Sequence, residues 1–287
     1  MQDIHIVIMA GGVGSRLYPV STPEKPKQFL DLLGVGRTLI QLTYQRYLEV
    51  NPEAHFWVVT SANYIHFIRE QLPEIPDEQI LAEPEPRNTA PCIAYACRKI
   101  LKKYPEAQVV VTPSDAYVPD HKAFASTVGT ALDFASQRLA VVCVGIEPDS
   151  PHTGYGYIHA PHAKEDEVVK VLEFKEKPSL ETAQKYLADG GYFWNAGIFI
   201  CSARTFEEEL RRFAPQISSV MDSLSPALYT AAESTELARL FPTCEKISID
   251  YAVMEKSPDV YVIPGRWMWS DLGSFEAIEK ICGKKLK

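Results

Sequence analysis

Short, almost unbroken apolar runs recur through the first half of this chain, each followed by a stretch with helical spacing. Residues 4–9, 56–60, 79–82, 109–112 and 139–144 are rich in β-branched residues and read as strands. Strands apolar on both sides belong to a parallel sheet covered on both faces. Between them, 39–50 places Leu39, Leu42, Thr43 and Tyr47 on one helical side, and 62–72, 90–104 and 124–137 carry similar patterns. This β-α order predicts an α/β fold, a Rossmann-like doubly wound sheet flanked by helices. Beyond Gly145 the alternation loosens: 155–160, 168–174 and 192–201 read as strands with less helix between them, which makes the sheet mixed. Residues 205–240 read as helix broken at Pro215, Pro226 and a Ser-rich patch, with a late strand at 260–263 and a final helix at 274–281.

At 287 residues the chain suits one large α/β unit, and with 46% hydrophobic residues it has ample material for a core. We expect a single domain over 1–287, with 1–145 as a nucleotide-binding half and 146–287 as the acceptor half. A net charge of −8 opposes a broad nucleic-acid surface, while local convergence of cations on a small polyanion stays open. The six cysteines include no C-x-x-C pair and lie mostly in apolar segments, so they read as buried hydrophobes in a reducing cytoplasm. The first apolar run follows Asp3 and is broken by Gly11-Gly12, a poor signal peptide, and no run is long enough to span a membrane.

Directly after the first strand comes Ala10-Gly11-Gly12-Val13-Gly14-Ser15-Arg16-Leu17, followed by Pro26-Lys27-Gln28. Ligands of open α/β sheets bind outside the carboxyl ends of the strands. Glycines there let backbone N–H groups approach phosphate oxygens, so Gly11, Gly12 and Gly14 mark the place of a triphosphate. Leu17 stands where a dinucleotide fingerprint needs its third Gly, and no Gly-Lys-Ser/Thr closes a Walker loop. A dehydrogenase and a P-loop enzyme are both disfavoured.

The composite G-G-x-G-x-R-L with P-K-Q resembles the signature of the sugar nucleotidylyltransferases, most closely the mannose-1-phosphate guanylyltransferases. Matching segments continue in order: Glu83-Pro-Glu-Pro-Arg87-Asn88-Thr89-Ala90, Pro113-Ser114-Asp115, Gly154-Tyr155-Gly156-Tyr157-Ile158, Phe174-Lys175-Glu176-Lys177-Pro178, Trp194-Asn195-Ala196-Gly197-Ile198-Phe199 and Trp269-Ser270-Asp271-Leu272-Gly273. The resemblance implies that Asp115 and Asp271, each of which could otherwise be a helix cap or turn residue, hold a Mg²⁺ ion. It implies that Glu176 accepts from sugar hydroxyls, that Lys177 binds the phosphate of a sugar 1-phosphate, and that Asn195, Gly197, Gly145, Tyr155 and Gly156 line the sugar pocket. The implied reaction joins GTP and mannose 1-phosphate to give GDP-mannose and pyrophosphate, with Arg16 and Lys27 stabilising the leaving group. No histidine shows ligand-like spacing, and all seven read as structural.

Glu83 ends the strand at 79–82 near the expected nucleotide edge, where the alternative is a solvated strand-end residue. Guanine presents N1–H and N2–H₂ side by side, two donors matched by one carboxylate, so Glu83 is the candidate reader of the base. The turn Arg87-Asn88-Thr89 is expected to close over it. Other nucleotides or sugar 1-phosphates, and a non-catalytic sugar-nucleotide sensor, remain alternatives, although a sensor has no use for Arg16, Lys27, Asp115, Lys177 and Asp271 together. A homodimer is left open. Longer family members continue into a β-helical or cupin-like extension, and the sequence ending at Lys284-Lys285-Leu286-Lys287 is expected to lack it.

Overall fold

A computed structural model describes residues 3–164 and 166–283. Five strands run parallel or nearly continuously apolar as the sequence requires: β1 (Ile4–Met9), β2 (His55–Ser61), β3 (Ile80–Glu83), β4 (Gln108–Pro113) and β5 (Val141–Ile146). The chain adds β6 (Tyr157–His159), β7 (Val169–Lys170), β8 (Glu173–Lys175), β9 (Tyr192–Ser202) and β10 (Val260–Gly265). All join one mixed sheet with the path β3-β2-β1-β4-β9-β5-β10-β7; off this path β6 pairs with β9, and β8 pairs with β6. The chain moves outward from β1 to β2 and β3, then returns to the other side of β1 with β4. The crevice between the carboxyl ends of β1 and β4 is therefore the topological switch point, where such sheets bind ligands. Met9 pairs with Pro113, so the glycine loop and the Ser114-Asp115 turn leave the sheet at the same level.

Strand β9 runs antiparallel between β4 and β5, which puts its first residues at the carboxyl ends of its neighbours. Asn195, early in the strand, thus reaches the same edge as Asp115, late after another. β10 lies parallel to β5 and feeds the segment 266–273 to that edge too. The two sequence halves consequently share a single sheet.

Alternation along the strands divides the core into two layers. Val7, Val109 and Val111 face helices α3 (Thr89–Lys103), α6 (Ala203–Phe213) and α7 (Pro215–Leu224), packing with Ile93, Ile100, Phe206 and Met221. Ile6, Ile8 and Val110 face α1 (Leu39–Val50), α2 (Ile65–Gln71) and α4 (His121–Ala135) through Ile40, Tyr47, Ile68 and Phe124. A smaller cluster joins Leu17 and Leu39 to Leu272 and Ile278 of α9 (Phe275–Cys282), tying the last helix beneath the glycine loop. Five of the six cysteines are buried and none is paired.

Two elements differ from the sequence reading. Residues 168–174 form two short strands, β7 and β8, and a helix α5 (Leu180–Asp189) follows them. Its signal was present: Ser179 caps it by accepting from the Thr182 N–H, strong helix formers follow, and Gly190 ends it at φ 70°. The stretch expected to be helical around 205–240 divides into α6, α7 and α8 (Glu233–Leu240), with Pro215 in the first turn of α7.

Candidate active site

The glycine loop is shaped by side chains that take its carbonyl oxygens. Gln28 Nε2 donates to Ala10 O (3.1 Å) and Gly12 O (2.8 Å), Thr60 Oγ1 to Ala10 O (2.9 Å), and Ser21 Oγ to Val13 O (2.9 Å). Gly14 has φ +65°, and a Cβ there would come within 2.8 Å of Ser21 Oγ. Gly11 backs onto the Glu83 carboxylate, 3.2 Å from the position a Cβ would take, so a larger residue would press on it. Gly12 faces open space. Gln28 is buried, and its role in holding the loop was visible in the sequence only as part of the Pro26-Lys27-Gln28 motif.

Asp115 and Asp271 face the same cleft, bridged by cations of the chain. Lys27 Nζ lies 3.1 Å from Asp115 Oδ2 and donates to Asp271 O (2.7 Å), while Arg16 Nη2 donates to Asp271 Oδ2 (3.3 Å). Tyr155, placed by the sequence reading in the sugar pocket, donates its hydroxyl to Asp271 Oδ1 (2.8 Å) and stacks on His152 with ring centroids 3.9 Å apart. Burial, then the neighbouring Asp271 charge, push the Tyr155 hydroxyl pKa well up, so it is a donor at any ordinary pH. Two carboxylates around a place already holding a positive charge are hard oxygen ligands suited to Mg²⁺.

A cavity of about 210 Å³ opens beside this pair, lined by Asp115, Asp271, Tyr155, Gly156, Glu176, Asn195 and Gly197. Gly156 is glycine because a Cβ would approach Glu176 Oε2 to 2.5 Å, and Gly197 because its φ is +71°. Lys177 pairs with Glu176 from a left-handed backbone conformation, φ 46°. Partial burial works against its charge, yet the Glu176 hydrogen bond and charge outweigh this and hold the ammonium pKa above its usual value.

Asp250, absent from the sequence reading, belongs to the same cavity. It opens a five-residue π-helical turn, Asp250–Met254, and accepts from Asn195 Nδ2 (3.0 Å). Burial, reinforced by the Glu176 charge, pushes its carboxyl up to about 6. Nothing in its local sequence, Ser248-Ile249-Asp250-Tyr251, distinguishes it from a helix cap. Glu255 Oε1, from the residue after the turn, accepts the Glu176 N–H (2.8 Å).

The remaining candidates divide. Glu83 is buried, 7% exposed, and its Oε1 has no partner. Burial pushes its carboxyl up to about 8. Asn88, φ 69°, caps α3 through its own Oδ1 and the Thr89 N–H, and Thr89 Oγ1 accepts from Ile249 N (2.8 Å), tying the helix start to the residue before Asp250. Arg87 pairs with Glu85. Gly145 stands apart from the cavity: it lies within β5, where a Cβ would meet Val262 and Phe193 at 2.7 and 2.8 Å, so close packing in the sheet explains it.

Among the described residues, Asp3, His5 and His55 also stand close enough to share a metal ion, at the opposite edge of the sheet. Within this group, His5 is already engaged by protein partners. Trp57 Nε1 donates to His5 Nδ1 (2.9 Å), so the neutral ring carries its proton on Nε2, the atom 3.1 Å from Asp3 Oδ1. The ring's available lone pair, on Nδ1, is thus taken by Trp57, and a metal at Nε2 would have to displace its proton. Burial holds His5 down at about 4, which keeps the ring neutral.

The mixed sheet brings the glycine loop, Asp115, Asp271 and the Glu176–Asn195 cavity to one cleft at the switch point. A family model for nucleotidyl transferases matches residues 5–287, and the chain belongs to that family. It is 38% identical over 290 residues to the mannose-1-phosphate guanylyltransferase of Escherichia coli (strain K12), and 38% identical over 281 residues to the xanthan biosynthesis protein XanB of Xanthomonas campestris pv. campestris (strain B100). Each alignment takes in 97% of this chain and 59% of the relative, so the chain spans rather less than two thirds of their length. A solved structure from Thermus thermophilus, described as a mannose-1-phosphate geranyltransferase, superposes with a TM-score of 0.87 at 31% identity, covering 99% of this chain and 80% of that one. No helix among the described residues is long and apolar enough to cross a membrane.

Proposed function

We propose that this protein transfers GMP from GTP to mannose 1-phosphate, giving GDP-mannose and pyrophosphate in a reducing, cytoplasmic setting. The observation that carries the reading is the junction at Asp271, where Arg16 from the glycine loop and Tyr155 from the β6 approach meet one carboxylate beside the Glu176–Asn195 cavity.

In this reading a phosphate oxygen of mannose 1-phosphate attacks the α-phosphorus of GTP, and the bond from that phosphorus to the β-phosphate oxygen breaks. Phosphoryl-type transfer of this kind rests on positioning and charge neutralisation and needs no covalent enzyme nucleophile. Asp115 and Asp271 would hold Mg²⁺, which when bound supplies positive charge at the α-phosphate. Arg16 and Lys27 then turn from the carboxylates to the departing pyrophosphate, Lys177 orients the attacking phosphate, and Glu176, Asn195 and Asp250 receive the sugar hydroxyls. Glu83 meets guanine N1–H and N2–H₂, donors that supply the partner its buried oxygen lacks. The backbone of Gly11, Gly12 and Gly14 receives the phosphates, and the turn from Arg87 to Thr89 flanks the base.

Pyrophosphate release measured over a grid of four nucleoside triphosphates and several sugar 1-phosphates tests this directly. The expected maximum is GTP with mannose 1-phosphate and Mg²⁺. Turnover highest with UTP and glucose 1-phosphate would replace the reading by its nearest neighbour, and no turnover with any pair would favour a sugar-nucleotide sensor.

A further inference from the structure

Two side chains of α1 reach the backbone on either side of Asp115. Thr43 Oγ1 donates to Ser114 O (3.1 Å), and Arg46 Nη1 donates to Ala116 O (3.2 Å). Arg46 Nη2 also donates to Thr43 Oγ1 (3.3 Å), so the two act as one clamp. Arg46 is 1% exposed and lies over the Phe124 ring, 5.0 Å from its centroid. No carboxylate pairs with it among the described residues, and its Nε has no partner. A buried, unpaired guanidinium is costly, and Met or Leu would fill the same volume without that cost. Burial lowers its pKa only to about 10, so the charge persists at neutral pH. On the far side of the same segment, Tyr117 exchanges two backbone hydrogen bonds with Ser270 (2.8 and 3.1 Å), the residue before Asp271. Residues 114–117 are therefore fixed between α1 and the Asp271 turn.

We infer that Arg46 and Thr43 are positioning residues that set the separation of Asp115 and Asp271 for a divalent cation while touching neither the cation nor the substrates. The inference rests on the proposed function for the role of that carboxylate pair. Partners that orient metal ligands commonly contribute about 10- to 100-fold in metal affinity or activity.

The test uses the whole chain carrying R46M, R46K, T43V or, as control, D115N. Mn²⁺ binding is followed by electron paramagnetic resonance, alongside the Mg²⁺ dependence of pyrophosphate release and the melting temperature. R46M and T43V should weaken Mn²⁺ binding and raise the Mg²⁺ half-saturation by about tenfold. R46K should fall between them and the parent, with GTP KM at saturating metal unchanged. R46K and T43V carry the test should R46M fail to fold. If folded variants of Arg46 and Thr43 bind Mn²⁺ like the parent while D115N does not, the positioning role is wrong and the site reading stands. If D115N itself binds Mn²⁺ normally, the site reading fails and takes the inference with it.

Discussion

At the β3 end of the cleft Glu83 is buried with one carboxylate oxygen unpartnered, whereas at the β9 end Glu176 and Asp250 are tied to Lys177, Asn195 and the Glu176–Glu255 contact. A buried acceptor left unpaired costs about 1–3 kcal/mol until a ligand brings a donor. On the proposed function the first region would be completed by the bound base, while the second holds its geometry in advance, as preorganised sites do. Removing a group should change selectivity at the Glu83 end and acceptor use at the Asp250 end.

The seam between the two regions, Asp115 and Asp271, should be the most sensitive point. Asp115→Asn or Asp271→Asn keeps the shape and removes a charge that both ends depend on, so kcat should fall by at least about a hundredfold. Circular dichroism would establish that the fold survives. Metal-dependent turnover unchanged in both variants would remove the seam and with it the comparison.

At the preorganised end, Lys177→Ala and Asp250→Asn should each lower kcat/KM for the sugar 1-phosphate by roughly 10- to 100-fold, as loss of a partner in a satisfied polar network does. GTP affinity measured by calorimetry should hold. A collapse of GTP affinity in Lys177→Ala with acceptor KM untouched would reverse the division of labour.

Glu83→Gln keeps one acceptor and adds a donor where guanine also donates. The ratio of kcat/KM for GTP over UTP should fall by about tenfold to a hundredfold, the size expected when a charge-assisted pair is lost. An unchanged ratio in a folded variant would assign base choice to other groups.

The contrast between the regions also tracks what a sequence can express. The parallel strands were legible because their burial is written as continuous β-branched runs, and 39–50 proved helical over its whole length. The placement of β9 between β4 and β5 was not, because antiparallel insertion leaves no local mark, and it is this insertion that brings Asn195 beside Asp115. Asp250 needed the fold for the same reason: its partners lie 55 residues away at Asn195 and, further back, at Glu176. Gly145 shows the opposite case. A glycine at a strand end reads alike whether a ligand or a neighbouring Phe193 approaches it, and only packing distinguishes the two.

The smallest expected effect concerns the free protein and asks whether Glu83 is truly left uncompensated. Its ordinary value is 4.5, and burial raises it to about 8 in the folded chain. Below about pH 4.5 both folded and unfolded states hold the proton, and the group adds no pH dependence. Between about 4.5 and 8 the unfolded chain has released the proton while the folded chain keeps it, so stability declines as pH rises through this window. Above about 8 the decline ends, with the carboxylate ionised and buried. Gln at this position has no proton to retain. Nucleotide-free Glu83→Gln should therefore melt higher than the parent at pH 8, by on the order of a few degrees, with the gain shrinking toward pH 5. On the proposed function GTP should act on the parent in the same sense, because guanine's two donors would stabilise the ionised carboxylate and lower its pKa. Binding at pH 7 should then release up to one proton per site, detectable as a dependence of the calorimetric heat on the ionisation heat of the buffer, and Glu83→Gln should release none from this group. Parallel melting curves for the two proteins across pH 5–8 would mean that Glu83 already has a compensating partner, and the difference between the two ends of the cleft would vanish.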